Sequence, residues 1–233
     1  IDPESQLIAS IVAKKIAAGS THVLIDIPYG EGAKVSKKEA LNLKNKFLTV
    51  EKYFKLKMRV VITLGNQPIG NGIGPLLEMR DILKVLKKDN SPKDLENKSV
   101  MLAGQILELV GKSKKNEGEA LARCILESGA ALKKFNEIIT AQGKKELMAL
   151  APHSYEIKAN KSGKIKKISN LAINRIARTL GCPIDKSAGI YLNKHISDSV
   201  RKGEALLTFY SESQKKLQEA VALANLNSNI LID

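Results

Sequence analysis

Two glycine-containing stretches of this 233-residue sequence have residue types that could bind a phosphate group. The first, GQILELVGKS at residues 104–113, ends in Gly-Lys-Ser, but six residues separate its two glycines. A phosphate-binding loop has four residues there, because its backbone amides must curl around the phosphate. The residues in between are apolar at helical spacing, which predicts a buried helix instead. These residues are Ile106, Leu107, Leu109 and Val110.

The second stretch is GNGIG at residues 70–74. It lacks the third glycine of a dinucleotide-binding fingerprint. It does precede a predicted helix, so its backbone amides could approach an anion. The alternative interpretation is a tight turn with no ligand.

The histidines and cysteines do not have the spacing of a metal site. His22, His153 and His195 are far apart in sequence, and a structural or surface role is the simpler interpretation for each. Cys124 and Cys182 are also widely separated, which predicts reduced, structural thiols. The sequence therefore predicts neither a metal ion nor an organic cofactor.

The net charge of +14 invites a nucleic-acid interpretation. Aromatic residues make up only 4% of the chain, however, and there is no Trp on which bases could stack. The lysines are scattered along predicted helix surfaces, and no known nucleic-acid-binding motif is present. These features argue against nucleic acid as the partner, although a basic scaffold or nucleic-acid binder remains the non-enzymatic alternative. Without a signal-peptide pattern or an apolar run of membrane-spanning length, we expect a cytoplasmic protein.

Helix and strand alternate in the first part of the chain. Apolar residues recur at helical spacing from Leu7 to Ile16, and β-branched stretches at residues 21–30 and 58–65 predict two buried strands separated by a helix at 38–57. Further helices are predicted near 75–88, 98–111, 117–128 and 130–142. This order predicts an α/β domain over residues 1–150, with a partial parallel or mixed sheet flanked by helices.

The remaining residues, 151–233, predict a smaller α+β domain. The stretch HSYEIKANKSGKIKKISN alternates polar and apolar residues around a Ser-Gly turn, which predicts a β-hairpin. A helix at about 170–180 and two more strands follow. Ser211 and Gln214 have the spacing of a capping box and predict the start of the last helix.

The motifs together resemble one enzyme family. The segment LIASIVAKKIAAGSTHVLIDIPYGEGAKV is similar to the signature stretch of the thymidine and pyrimidine-nucleoside phosphorylases. QPIGNGIGPLLEMRDIL and FNEIITAQG resemble the later helices of their α/β domain. NKHISDSVRKGEALL resembles half of the hammerhead-like β structure at their C-terminus, but has no Met-Lys motif for a covalent carrier. The resemblance implies that an N-terminal helical domain and a phosphate-binding loop lie upstream of Ile1.

Members of this family catalyse phosphorolysis with inorganic phosphate as co-substrate and without a cofactor. The resemblance implies that Asp2 is the proton donor, that Ser10 and Lys14 hydrogen-bond the base, and that Lys34 contacts a nucleotide. Ser10 and Lys14 are four residues apart and share one helix face, so both can reach a planar ligand. Structural interpretations stay open: Asp2 as a helix cap, Ser10 as a packing residue, and both lysines as solvated surface cations.

The resemblance also implies substrates and partners. The expected activity of the full-length protein is the conversion of thymidine and phosphate to thymine and 2-deoxyribose 1-phosphate. The alternative is AMP phosphorolysis, because Lys34 and the residues after Asp2 resemble the AMP-phosphorylase branch. We expect this chain on its own to be inactive, and the full-length protein to be a homo-oligomer whose partners are a nucleoside or nucleotide and phosphate.

Overall fold

A computed structural model describes residues 4–54, 56–226 and 230–233. Within that part the chain forms eight helices and nine strands. In chain order they are α1 (Glu4–Ala17), β1 (His22–Tyr29), α2 (Lys37–Glu51), β2 (Lys57–Leu64), β3 (Gly72–Ile73), α3 (Pro75–Lys87), α4 (Lys93–Leu109), α5 (Gly118–Glu127), α6 (Ala130–Ala141), β4 (His153–Lys158), β5 (Gly163–Ile168), α7 (Asn170–Leu180), β6 (Gly189–Leu192), β7 (Ser199–Val200), β8 (Ala205–Ser211), α8 (Gln214–Leu226) and β9 (Ile230–Ile232). The predicted α/β fold class is confirmed.

The chain divides into two compact units that are discontinuous in sequence. Unit 1 comprises Ile1–Gly65 and Asn97–Ser128, and unit 2 comprises Asn66–Glu96 and Gly129–Asp233. The predicted domain division at residue 150 stays a prediction.

Unit 1 contains a parallel strand pair. β1 and β2 pair in register from His22 with Lys57 to Tyr29 with Leu64. Parallel neighbours need a crossover connection, and α2 supplies it. Alternate residues of both strands are buried on one face, where they pack with residues of α1 and α2. The buried core residues are Ile8, Val12, Val23, Ile25, Ile27, Ala40, Leu43, Phe47, Leu56, Met58 and Val60.

The start of α2 is set by a complete capping box. The backbone amide of Glu39 donates to Ser36 Oγ at 3.3 Å, and the Ser36 amide donates to Glu39 Oε2 at 2.7 Å. These bonds satisfy amides that the first helical turn leaves without partners. The Ser36 amide, followed by its hydroxyl, lowers the pKa of the Glu39 carboxyl.

Unit 2 contains two antiparallel sheets. One has the strand order β3-β6-β8-β4, and the other has the order β7-β5-β9. Their buried side chains form a core with α7 and α8 that includes Ile176, Leu180, Ile190 and Phe209.

The predicted hairpin over residues 153–170 is wrong. Both strands form at about the predicted positions, but β4 pairs with β8 and β5 pairs with β7 and β9. The Ser-Gly turn indicates where the chain turns between β4 and β5. It does not determine which strands pair, because pairing depends on which side chains the core can bury.

The predicted capping box at Ser211 is also wrong. Ser211 is the last residue of β8 and is fully buried, and its hydroxyl donates to the carbonyl of Leu180 at 2.8 Å. The cap of α8 is Ser213, whose Oγ accepts from the backbone amide of Lys216 at 3.4 Å.

Candidate functional site

Helix α1 presents Ser10 and Lys14 on an exposed surface. Ile8 and Val12 of the same helix are buried in the core of unit 1, which fixes the rotation of α1 about its axis. Ser10 and Lys14 are both exposed and lie one helical turn apart. Glu4 ties the first turn of α1 to α2, because its carboxylate accepts from Asn42 Nδ2 at 3.2 Å and pairs with Lys46.

An apolar groove of about 830 Å³ lies between α1 and α2. It is lined by Ser5, Ile8, Ala9, Val12, Ala13, Ile16, Ala17, Lys46, Thr49, Val50 and Phe54. Ser10 and Lys14 are not among these residues. The polar positions of α1 and this groove therefore belong to different faces of the helix.

Lys34 lies in the loop that connects β1 to α2 (residues 30–36), which we call the ligand loop after the role that the resemblance implies for Lys34. It is exposed, and within the described part of the chain it forms no ion pair. Two backbone hydrogen bonds shape the loop, from the Gly30 amide to the Val35 carbonyl at 3.4 Å and from the Ala33 amide to the Gly30 carbonyl at 3.1 Å.

Further contacts hold the two ends of the ligand loop. The Gly65 amide donates to the carbonyl of Tyr29 at 2.7 Å, at the last residue of β1. The ammonium group of Lys37 lies 5.8 Å from the centre of the Tyr29 ring, a cation–π distance. At the other end the capping box fixes Ser36. The loop therefore presents Lys34 from two anchored points.

Three of the four site residues predicted from the sequence lie within the described part of the chain. Asp2 lies outside the described residues. Ser10 and Lys14 share one exposed face, as their spacing predicts, and Lys34 occupies a loop at the carboxyl end of a parallel strand. Ligands of α/β sheets bind at that edge. Their roles stay predictions.

The hydrogen bonds of GNGIG favour the interpretation as a turn without a ligand over anion binding by free amides. Four of these backbone amides already donate to carboxylates of the chain. Gly70 donates to Asp94 at 3.0 Å, Asn71 and Gly72 donate to Asp81 at 2.7 Å each, and Gly74 donates to Glu78 at 3.0 Å. Asp81 is 2% exposed, so one carboxylate is enclosed by the loop itself. A further anion would meet negative charge there.

The glycines of this loop have a packing role. A Cβ atom on Gly72 would lie 2.4 Å from the carbonyl carbon of Leu77, a distance that real Cβ atoms essentially never show. Gly72 therefore allows β3 to approach the first turns of α3 closely.

GQILELVGKS begins within α4. This agrees with its glycine spacing, which does not match that of a phosphate-binding loop. The prediction of a buried helix is wrong in part, because Ile106 and Val110 are 44% and 38% exposed. The buried position is Gly104, which contacts Gly118 of α5. Two glycines therefore form the crossing point of α4 and α5.

The sequence did not reveal a polar cluster in unit 1. Asp26 of β1, Thr63 of β2 and Lys98 of α4 are joined by three contacts: Thr63 Oγ1 to Asp26 Oδ1 at 2.7 Å, Lys98 Nζ to Asp26 Oδ2 at 2.8 Å, and Lys98 Nζ to Thr63 Oγ1 at 3.0 Å. We call it the Asp26 triangle. The sequence does contain one sign of this cluster, which is a carboxylate within the apolar run VLIDIP.

Two of the three histidines have a side-chain hydrogen-bond partner. His195 Nε2 lies 2.8 Å from Asn71 Oδ1, and His22 Nδ1 lies 2.9 Å from the hydroxyl of Thr21. Among the described residues, no group of three or more His, Cys, Asp or Glu side chains could hold a metal ion. In the same residues, no helix combines the length and apolar character that crossing a membrane requires.

Comparison with known proteins identifies the family. Residues 164–231 match a family described as the pyrimidine nucleoside phosphorylase C-terminal domain. The chain is 45% identical over 230 residues to the AMP phosphorylase of Methanococcus maripaludis (strain C6), and 41% identical over 238 residues to AMP phosphorylase 1 of Archaeoglobus fulgidus. It is also 45% identical over 236 residues to a Bradyrhizobium diazoefficiens protein named "Putative thymidine phosphorylase".

These matches span nearly all of this chain and less than half of each relative. They cover 96%, 100% and 100% of the chain, respectively, and 46%, 47% and 46% of the relatives. The chain thus spans about half the length of the curated relatives it matches. Because the similarity is continuous across both units, the chain belongs to the pyrimidine nucleoside phosphorylase family.

Proposed function

We propose that the full-length protein is a phosphorylase that cleaves the N-glycosidic bond of a nucleoside or nucleotide. The observation that carries this proposal is about 45% identity over essentially the whole chain to proteins named as phosphorylases. In the reaction, a phosphate oxygen bonds to the anomeric carbon while the bond to the base breaks. The base departs with the electron pair and needs a proton or a cation.

In this proposal, residues at the start of the chain and in the ligand loop form one side of the site. Ser10 and Lys14 are exposed on one face of α1, where a hydroxyl and an ammonium group can contact the polar edge of a base. Asp2, two residues before α1, is the proposed proton donor. Lys34 is the proposed contact to the sugar or to its phosphate.

We propose thymidine as the substrate and AMP as the second candidate. One observation favours AMP: Lys34 is exposed and has no ion-pair partner in the described part of the chain. An unpaired cation in a loop at the carboxyl end of a parallel strand is suited to a 5′-phosphate, whereas a nucleoside does not need one.

The test uses the full-length protein with inorganic phosphate and either thymidine or AMP. Released thymine or adenine is quantified by liquid chromatography. We expect Lys14→Met to lower turnover at least tenfold, since it removes a group at the leaving base. Lys15→Met is the matched control, because Lys15 is exposed on the same helix but points about 100° away.

A second pair of variants separates the two substrates. Lys34→Met should raise the KM for AMP strongly and change the KM for thymidine little, whereas Lys38→Met in α2 should change neither. Release of neither base by the wild-type protein would refute the proposed function.

A further inference from the structure

Each polar group of the Asp26 triangle has a partner within the triangle. Both carboxylate oxygens of Asp26 accept a hydrogen bond, and Thr63 Oγ1 donates to Asp26 while it accepts from Lys98. The side chains of Asp26 and Lys98 are each 21% exposed. Charge-assisted hydrogen bonds in such a partly buried place are stronger than those on an open surface.

The triangle lies at the carboxyl ends of the two parallel strands. Three residues separate Asp26 from Gly30, where the ligand loop begins, and Thr63 is the second-to-last residue of β2. The strand register places Pro28 opposite Thr63. The triangle therefore joins both strands close to the position where β1 becomes the ligand loop.

We propose that the Asp26 triangle is a positioning cluster for the ligand loop and sets the place of Lys34. This inference rests on the proposed function in one respect, namely that Lys34 contacts the ligand. Two backbone hydrogen bonds lie within the loop, and the anchors at its ends add to them in fixing the location of Lys34. At the β1 end these anchors are the Gly65–Tyr29 hydrogen bond, the Lys37–Tyr29 contact and the triangle.

A purely structural role would be to hold α4 on the sheet. The chain offers a matched control for that role, because a second polar contact joins the same helix to the same strand. Arg59 Nη1 of β2 donates to Glu108 Oε2 at 3.0 Å and to Gln105 Oε1 at 3.0 Å. Arg59 is the third residue of β2, at the end of the strand away from the ligand loop.

The experiment compares Thr63→Val with Glu108→Gln in the full-length protein. Thr63→Val removes the hydroxyl at nearly constant volume, and Thr63→Ser restores the hydroxyl. The first readout is amide hydrogen exchange of peptides that contain residues 30–36. The second is KM and kcat with phosphate and AMP or thymidine.

We expect Thr63→Val to speed exchange of the ligand loop and to raise KM about tenfold with a smaller change in kcat. Thr63→Ser should restore both values, and Glu108→Gln should change neither. If Thr63→Val does not fold, Asp26→Asn replaces it with the same expected results.

Unchanged loop exchange and KM in Thr63→Val would overturn the inference. Equal effects of Thr63→Val and Glu108→Gln would overturn it too, because they would show that both contacts act only by holding α4 on the sheet. If the wild-type protein cleaves neither substrate, the proposed function fails, and the exchange comparison alone then decides whether the triangle positions the loop.

Discussion

Replacing Gly118 with Ala sets two effects of opposite sign against each other. Gly118 is the first residue of α5 and has no left-handed backbone conformation. By helix propensity alone, Ala would stabilise this helix by up to about 1 kcal/mol. A Cβ atom at this position, however, would lie 2.2 Å from the carbonyl oxygen of Gly104 and 2.8 Å from Glu108 Cγ.

The steric effect should prevail. Ordinary contact begins at 3.4 Å, so α4 and α5 must separate by about 1 Å. Overpacking of this kind costs about 1–3 kcal/mol. The shift also weakens the bond from the Gly118 amide to Glu108 Oε1, now 3.3 Å, and the linked Arg59–Glu108 pair, which adds about 1–3 kcal/mol. After subtraction of the propensity gain of about 1 kcal/mol, the free energy of unfolding should fall by about 1–5 kcal/mol.

Urea unfolding followed by circular dichroism measures this change. Gly111→Ala is the control, because a Cβ there meets open space while φ is +70°. Backbone strain alone should lower its unfolding free energy by about 1 kcal/mol. If Gly118→Ala is as stable as the wild-type protein or more stable, the reasoning from the helix crossing is refuted.

Two further predictions concern ionisable groups. Burial, followed by the charges of Glu78 and Asp185, raises the pKa of the Cys182 thiol to about 11. At pH 8, iodoacetamide should therefore alkylate the exposed Cys124 roughly a hundredfold faster than Cys182, which mass spectrometry measures; equal rates would contradict this. The hydrogen bond from Ser91 lowers the pKa of the buried Glu96 carboxyl. Its stabilising contribution is thus present above the unfolded pKa of about 4.5 and is lost as pH falls through the lower folded value. The difference in unfolding free energy between wild type and Glu96→Gln should shrink between pH 5 and pH 3, and a constant difference would contradict the assignment.

The sequence predicted the elements of unit 1 well because their signals are local. α2 has apolar residues at helical spacing and begins one residue before the predicted position 38, although it ends at Glu51 and not at 57. β1 occupies most of the predicted stretch 21–30. Ser10 and Lys14 could be placed on one face from their spacing alone. Such inferences need only the period of the element.

The sequence failed where the partner of a residue is distant in the chain. β4 and β5 have sound strand patterns, but their partners lie about 40–70 residues away, and no local feature specifies them. The amides of GNGIG are occupied by Asp81 and Asp94, which helical periodicity would place on α3 and α4 without showing that they turn back to the loop.

The Asp26 triangle also depends on a partner that is distant in the chain. It lies on the polar face of β1 and β2, beside the ligand loop. Val23, Ile25 and Ile27 pack into the core with α1 and α2, so strand alternation places Asp26 on the opposite face. An unpaired carboxylate there would lose hydration without compensation. Lys98, 72 residues later in the chain, supplies the compensating charge. Charged residues on the polar face thus form salt bridges, one between Arg59 and Glu108 and one between Asp26 and Lys98. Only the second pair lies at the strand ends from which Lys34 is presented, so a change to that pair should reach the ligand and a change to the first should not.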